Sequence, residues 1–217
     1  MFGVIFDMDG LMIDSERIIF KALCAAGKEM GLENIEQPLT MSIGINKGDT
    51  EKVFRSFYGA DFDFERFYKL KYKYLNELVG DKGFPPKKGI IEILDYLTNR
   101  NIPIAVCSST REGTVMDSLE KIGAKDYFRV FVCGDMGLKG KPAPDMFLKC
   151  SELMKLSPRD CYVLEDSRNG IKAAYAAGMR PIMIPDMIEP DDEIISMLYA
   201  LKKDLTEVIA FLEAECE

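Results

Sequence analysis

Apolar and polar positions fall into two rhythms along this chain. Phe2-Gly3-Val4-Ile5-Phe6 is an unbroken apolar run, too short for a helix and rich in aromatic and β-branched residues, which predicts a strand buried on both faces. From about 15 to 83 the pattern is helical. Ser15 reads as an N-cap for a helix over about 16–30, ended by Gly31, with Ile18, Ile19, Ala22, Leu23 and Ala26 on one face. A loop over 41–48 precedes a helix starting near Asp49, and a further helix over about 63–79 carries Phe64, Phe67, Tyr68, Tyr72 and Tyr74. An aromatic stripe at helical spacing predicts a packed core.

Gly80-Asp81-Lys82-Gly83-Phe84-Pro85-Pro86 reads as a linker, and beyond it helix and strand alternate. Helices are predicted over about 88–100, 112–122, 144–154 and 170–177, with strands at 102–107, 130–133, 161–165 and 181–184. A closing amphipathic helix presents Leu205, Val208, Ile209 and Leu212. Such alternation predicts an α/β fold, a doubly wound parallel sheet with right-handed crossovers. The helical stretch interrupts it after one strand, so 15–83 reads as a small inserted domain and 1–14 with 84–217 as the core.

Composition narrows the function. A chain of 217 residues suffices for one good core plus a smaller domain. The net charge of −8 argues against nucleic acid or an anionic membrane as partner, yet leaves room for a phosphorylated small molecule met by local positive charge. Histidine is absent, which removes imidazole bases, phosphohistidine and histidine zinc ligands. The six cysteines are scattered without a C-x-x-C pair, and Cys107, Cys133 and Cys161 sit in or beside apolar runs, as small core residues of a reducing compartment do. With no leader pattern and no apolar run near the ~20 residues that span a bilayer, the expected location is cytoplasmic, as a monomer or weak homodimer.

The first strand runs straight into acid: Asp7-Met8-Asp9-Gly10, then Asp14-Ser15. The C-terminal ends of parallel strands are where open α/β sheets place ligands. Alternation puts Asp7 and Asp9 on one side, and adjacent carboxylates repel unless a cation or proton compensates. Asp-Gly pairs also cap turns, so the other strand ends must decide.

The pattern D-x-D-G-x-x-x-D-S resembles the first motif of the haloacid dehalogenase-like phosphatase superfamily. That resemblance implies a Rossmann-like core with an inserted helical cap of the C1 type, Asp7 as nucleophile, Asp9 as general acid/base, and Mg²⁺ as the compensating cation. The strand ending at Cys107 leads into Ser108-Ser109-Thr110, hydroxyls able to donate to phosphoryl oxygens. Ser108 matches the second motif, Ser109 is a further phosphate-binding candidate, and Ser109 or Thr110 is expected to cap the following helix. Lys139-Gly140-Lys141-Pro142-Ala143-Pro144-Asp145 resembles the third motif of the β-phosphoglucomutase-like branch, its prolines fixing the backbone beside Lys141. Lys141 would neutralise developing phosphoryl charge.

The strand at 161–165 ends in Glu165-Asp166-Ser167, oxygen donors suited to Mg²⁺. Asp166 matches the fourth motif's metal ligand, and Glu165 would bind directly or through a water. Asp7, and Asp9 through its backbone carbonyl, complete the implied ligand set. Loop Gly44-Ile45-Asn46-Lys47 lies where this branch keeps cap residues that touch substrate, so Gly44, Asn46 and Lys47 are substrate candidates.

The reaction so implied is hydrolysis of a small phosphorylated metabolite, a sugar phosphate or similar monoester, through an aspartyl-phosphate. A dehalogenase proper has no need of Asp9 or the metal. A β-phosphoglucomutase-like phosphomutase shares all four motifs, but its cap histidine is replaced by Ile19 and its phosphate-gripping arginine by Lys47. A non-catalytic phosphometabolite-binding protein predicts a lost nucleophile or metal ligand, and none is lost.

Overall fold

In the computed structural model, residues 2–43 and 47–215 are described. The chain divides into two compact units, Met1–Asp14 with Phe84–Glu217, and Ser15–Gly83.

Among the described residues, the larger unit contains one parallel sheet of six strands, ordered β3-β2-β1-β4-β5-β6. They are β1 (Gly3–Phe6), β2 (Ile104–Ser108), β3 (Val130–Cys133), β4 (Cys161–Glu165), β5 (Arg180–Met183) and β6 (Ala200–Leu201). The apolar β1, buried throughout, lies centrally, flanked by β2 and β4, where both of its faces are covered. Side-chain alternation splits the core in two. Val4, Phe6, Val106 and Leu164 pack on one face with Leu94, Leu97, Val208 and Leu212, from α5 (Ile90–Asn99) and α10 (Leu205–Glu215). Ile5, Ala105, Cys107 and Val163 pack on the other with Phe147, Cys150, Ala173 and Ala174, from α7 (Asp145–Met154) and α8 (Arg168–Ala176). The remaining helices of this unit are α6 (Glu112–Lys121) and the short α9 (Asp192–Ile195).

Register positions the site. Phe6 stands beside Val106 and Leu164, so Asp7 emerges level with Cys107 and Glu165. The Asp7 amide donates to the Leu164 carbonyl at 3.0 Å, which carries the ladder one residue past the strand.

The smaller unit is helical: α1 (Ser15–Glu29), α2 (Glu36–Met41), α3 (Lys47–Tyr58) and α4 (Phe64–Val79). Its core is aromatic, with Phe54, Phe62, Phe64 and Phe67 buried around Ala26 and Leu39. Tyr72 is an exception to the expected stripe: it is exposed, and Lys71 lies 4.2 Å from its ring centroid.

Several boundaries differ from expectation. Ser15 begins α1 as a buried first residue of the helix, not as a cap ahead of it. The stretch read as a linker is partly ordered: Gly80–Lys82 form a 3₁₀ turn, the Pro85 carbonyl accepts from the Asp14 amide at 2.9 Å, and Pro86 bridges Ile13. The α6 start is capped by neither Ser109 nor Thr110. Arg111 holds the cap position, and the Glu112 amide donates to Asp135 Oδ1 at 3.1 Å. Elements α2, α9 and β6, of six, four and two residues, carried too little periodicity to be read.

Candidate active site

Four strand ends and their loops converge on Asp7. Lys141 reaches it from the loop after β3, its Nζ 2.5 Å from Asp7 Oδ1 and 2.7 Å from Glu165 Oε1, with a third bond to the Cys107 carbonyl at 3.1 Å. The ammonium therefore spends all three donors on fixed acceptors. Its side chain is 7% exposed and Glu165 is fully buried. The second Glu165 oxygen accepts from the Ser167 amide and hydroxyl, both at 2.9 Å. Ser167 also caps α8, accepting from the Gly170 amide at 3.1 Å.

Two glycines make the packing possible. A Cβ at Gly10, whose φ is +80°, would collide with the Asp166 carboxylate. One at Gly170 would occupy the place of the Glu165 carboxylate. Both are close approaches that leave no room for a side chain.

Charge in this pocket is unbalanced. Burial pushes the Asp7 carboxyl up to about 8, with Glu165 and Asp9 adding to the rise against the pull of Lys141. Burial alone would drive Lys141 down, but Asp7 and Glu165 reverse that and hold it well above the ordinary lysine value. Carboxylate oxygens of Asp7, Glu165 and Asp166 lie within 4.8 Å of one another. Asp7 and Glu165 share one ammonium, and with Asp166 they make a hard oxygen donor set that fits a small divalent cation.

Asp9 faces a different neighbourhood. Thr110 Oγ1 donates to Asp9 Oδ2 at 2.8 Å, and Ser108 Oγ lies 3.5 Å from the same oxygen. Ser108 is buried and its Oγ also accepts from the Thr110 amide at 3.0 Å. The strand alternation placed both acids on one side; the turn through Met8–Ile13, closed by Met12 and Ile13 amides on the Met8 carbonyl, gives each its own partners.

Asp7, Asp9, Ser108, Lys141, Glu165 and Asp166 thus come together as their strand-end positions suggested. Ser109 is exposed on the same loop. Lys47, in the helical unit, pairs with Glu65 at 3.0 Å and lies 4.9 Å from the Tyr68 ring centroid. Gly44 and Asn46 fall outside the described residues. Thr110, expected as a phosphoryl donor or a helix cap, meets Asp9, and Ser167 both caps α8 and meets Glu165; their place in a hydroxyl run and beside the acids is the signal for each.

The chain matches the haloacid dehalogenase-like hydrolase family over residues 4–184. It belongs to that family. The matched span takes in the acids after β1, the hydroxyls after β2, Lys141, and the acids after β4, so the geometry above lies wholly within it. Among its relatives, a phosphorylated carbohydrates phosphatase of Thermotoga maritima is 28% identical over 186 residues, 84% of each chain. A probable pseudouridine-5'-phosphatase of Drosophila melanogaster is 31% identical over 194 residues, 84% of this chain and 80% of the relative. The crystal structure of a putative β-phosphoglucomutase from Thermotoga maritima superposes with a TM-score of 0.80 over 99% of both chains, at 24% identity, and shares the fold. This haloacid dehalogenase-like hydrolase has no helix among its described residues long and apolar enough to cross a membrane.

Proposed function

We propose that this hydrolase is a Mg²⁺-dependent phosphatase that cleaves a small phosphorylated metabolite through an aspartyl-phosphate on Asp7. The observation that carries the reading is the buried Asp7–Lys141–Glu165 ion chain at the end of the central strand, with Asp166 in reach. Lone buried carboxylates are costly, and this arrangement is retained where charge is due to develop on a phosphoryl group.

Asp7 attacks phosphorus in line, and the bond to the ester oxygen breaks. Asp9 gives its proton to that departing oxygen, then takes one from the water that cleaves the acyl phosphate. Ser108 donates to a phosphoryl oxygen, with Ser109 on the same loop as a further donor, and Lys141 balances the charge of both the nucleophile and the transferred group. Asp7, Asp166 and the Asp9 backbone carbonyl would hold Mg²⁺, with Glu165 direct or through water while it also seats Lys141. When bound, the cation supplies charge neutralisation for the phosphoryl oxygens.

The names of the two phosphatase relatives support a phosphorylated carbohydrate or similar monoester as substrate. We propose Gly44, Asn46 and Lys47 as the substrate contacts supplied by the helical unit, with Lys47, at the start of α3, able to meet a distal anionic or hydroxylated group. The test is a Mg²⁺-dependent phosphate-release screen over phosphorylated metabolites with Asp7→Asn as control. Release that requires Asp7 is the expected result; no release, or release indifferent to Asp7→Asn, overturns the hydrolase. Conversion of β-glucose 1-phosphate to glucose 6-phosphate with a bisphosphate primer would instead make it a phosphomutase.

A further inference from the structure

We infer that Thr110 is the positioning residue for Asp9, a role that rests on the acid/base assignment above. Its hydroxyl donates to Asp9 Oδ2 at 2.8 Å across 101 residues of sequence, a shorter contact than the 3.5 Å from Ser108 to the same oxygen. Both hydroxyls meet Oδ2, which leaves Oδ1 as the oxygen they do not engage and turns the plane of the carboxylate toward one orientation.

Thr110 can do this because its own backbone is pinned on both sides. Its amide donates to Ser108 Oγ at 3.0 Å and its carbonyl accepts from the Gly134 amide at 2.9 Å. A Cβ at Gly134 would collide with the Ser109 carbonyl, so the end of β3 can lie against this loop only with glycine there. One residue on, Asp135 accepts from the Glu112 amide and secures the start of α6. The hydroxyl is therefore presented by a loop with little freedom of its own, as preorganisation of a reacting group requires.

A donor fixed on one oxygen holds the carboxylate between its two tasks without competing for the atom that meets the ester. Asp9 works hardest on esters whose leaving oxygen is a poor one, because a phenolate such as p-nitrophenolate departs without a proton. In kcat/KM, which reports the step that forms the aspartyl-phosphate, loss of the positioning bond should therefore fall on alkyl phosphates and spare activated aryl phosphates; hydrolysis of the shared intermediate enters kcat for both. A residue that merely supports the loop would affect both alike.

The experiment compares wild type, Thr110→Val and Thr110→Ser on a hydrolysed alkyl phosphate and on p-nitrophenyl phosphate, with Mg²⁺ in excess. Thr110→Val should lower kcat/KM on the alkyl ester by roughly 10- to 100-fold, and kcat/KM on the aryl ester by less than about threefold. Thr110→Ser keeps the donor and should recover most of the loss, which also separates positioning from failure to fold. Equal losses of kcat/KM on both esters, no loss in Thr110→Val, or a serine variant no better than valine overturns the assignment. Absence of hydrolysis by wild type on every ester overturns the phosphatase reading, and the role of Thr110 with it.

Discussion

Both units of this chain bury an apolar core, but only the sheet unit buries charge among the described residues. The sheet unit buries Asp7, Glu165 and most of Lys141 at the ends of its strands. The helical unit buries Phe54, Phe62, Phe64 and Phe67, and no carboxylate or ammonium is buried among its described residues. Aromatic burial is favourable in itself, at several kcal/mol for each large side chain. Burial of ions is unfavourable unless every charge is met, and the buried Asp7 and Glu165 share a single ammonium. The lesson is a division of labour: the apolar cores of both units carry stability, and the strand ends hold charge in readiness at a cost in stability.

The sharpest way to break that contrast is Asp7→Asn. Phosphate release should fall by more than about a thousandfold, while the fold persists. The stability effect should run the other way. An unfolded Asp ionises near 4, whereas Asp7 in the fold ionises at about 8. The folded state thus holds the proton more tightly, and the charged carboxylate's penalty builds as pH rises from about 4 to 8, staying constant above. In metal-free buffer Asp7→Asn should gain on wild type over that range, read by denaturant unfolding at several pH values. Added Mg²⁺ should stabilise wild type and not the variant.

Phe54→Ala tests the other side. Phe54 is fully buried, and its ring centroid lies 4.7 Å from that of Phe67 and within 6.0 Å of three further rings. Truncation should destabilise the helical unit by about 3–5 kcal/mol, measured by hydrogen exchange in residues 15–83, with the sheet unit's slowest amides unaffected. Uniform loss of protection across both units would contradict separate cores.

Lys141→Met joins the two ideas, because methionine is an unbranched side chain of similar length that removes the ammonium lying 4.9 Å from the Phe147 ring centroid. It leaves Asp7 and Glu165 buried without their cation, so a loss of about 3 kcal/mol is expected alongside loss of activity. An unchanged unfolding midpoint would mean that the ion chain contributes nothing to holding the site.

The smallest effect is a control with an ordinary carboxylate. Asp204 accepts from Lys88 Nζ at 2.6 Å and from the Thr206 hydroxyl and amide at the start of α10, and these bonds lower its carboxyl to about 2. Its folded value lies below the unfolded one, so its contribution is complete above about pH 4 and is lost as pH falls toward 2. Asp204→Ala should cost about 1 kcal/mol near neutrality, as N-cap removal does, with the difference from wild type vanishing in acid.

Much of this was legible because local physics and tertiary structure agreed. The strands Val130–Cys133 and Cys161–Glu165 could be read to the residue, since apolar β-branched and aromatic runs bounded by polar loops suit a buried parallel strand. The α4 start was legible too, with Asp63 accepting from the Arg66 amide as a cap should. The misses have a common cause. Glu36–Met41, with Pro38 in its first turn, and the two-residue β6 are too short for periodicity to register, and exist because neighbours complete their hydrogen bonds.

What the sequence determined by itself was the inventory and its order: acids after the first strand, hydroxyls after the second, a proline-held lysine after the third, acids after the fourth. What only the tertiary structure decided was who meets whom. Lys141 chooses Asp7 and Glu165 from among many acids, across 134 and 24 residues, and Thr110 turns to Asp9 and leaves the helix cap to Arg111 and Asp135. Side-chain types follow from local composition, but such pairings follow from strand register and the shape of loops that a glycine or a buried turn allows, and these exist only once distant segments have packed.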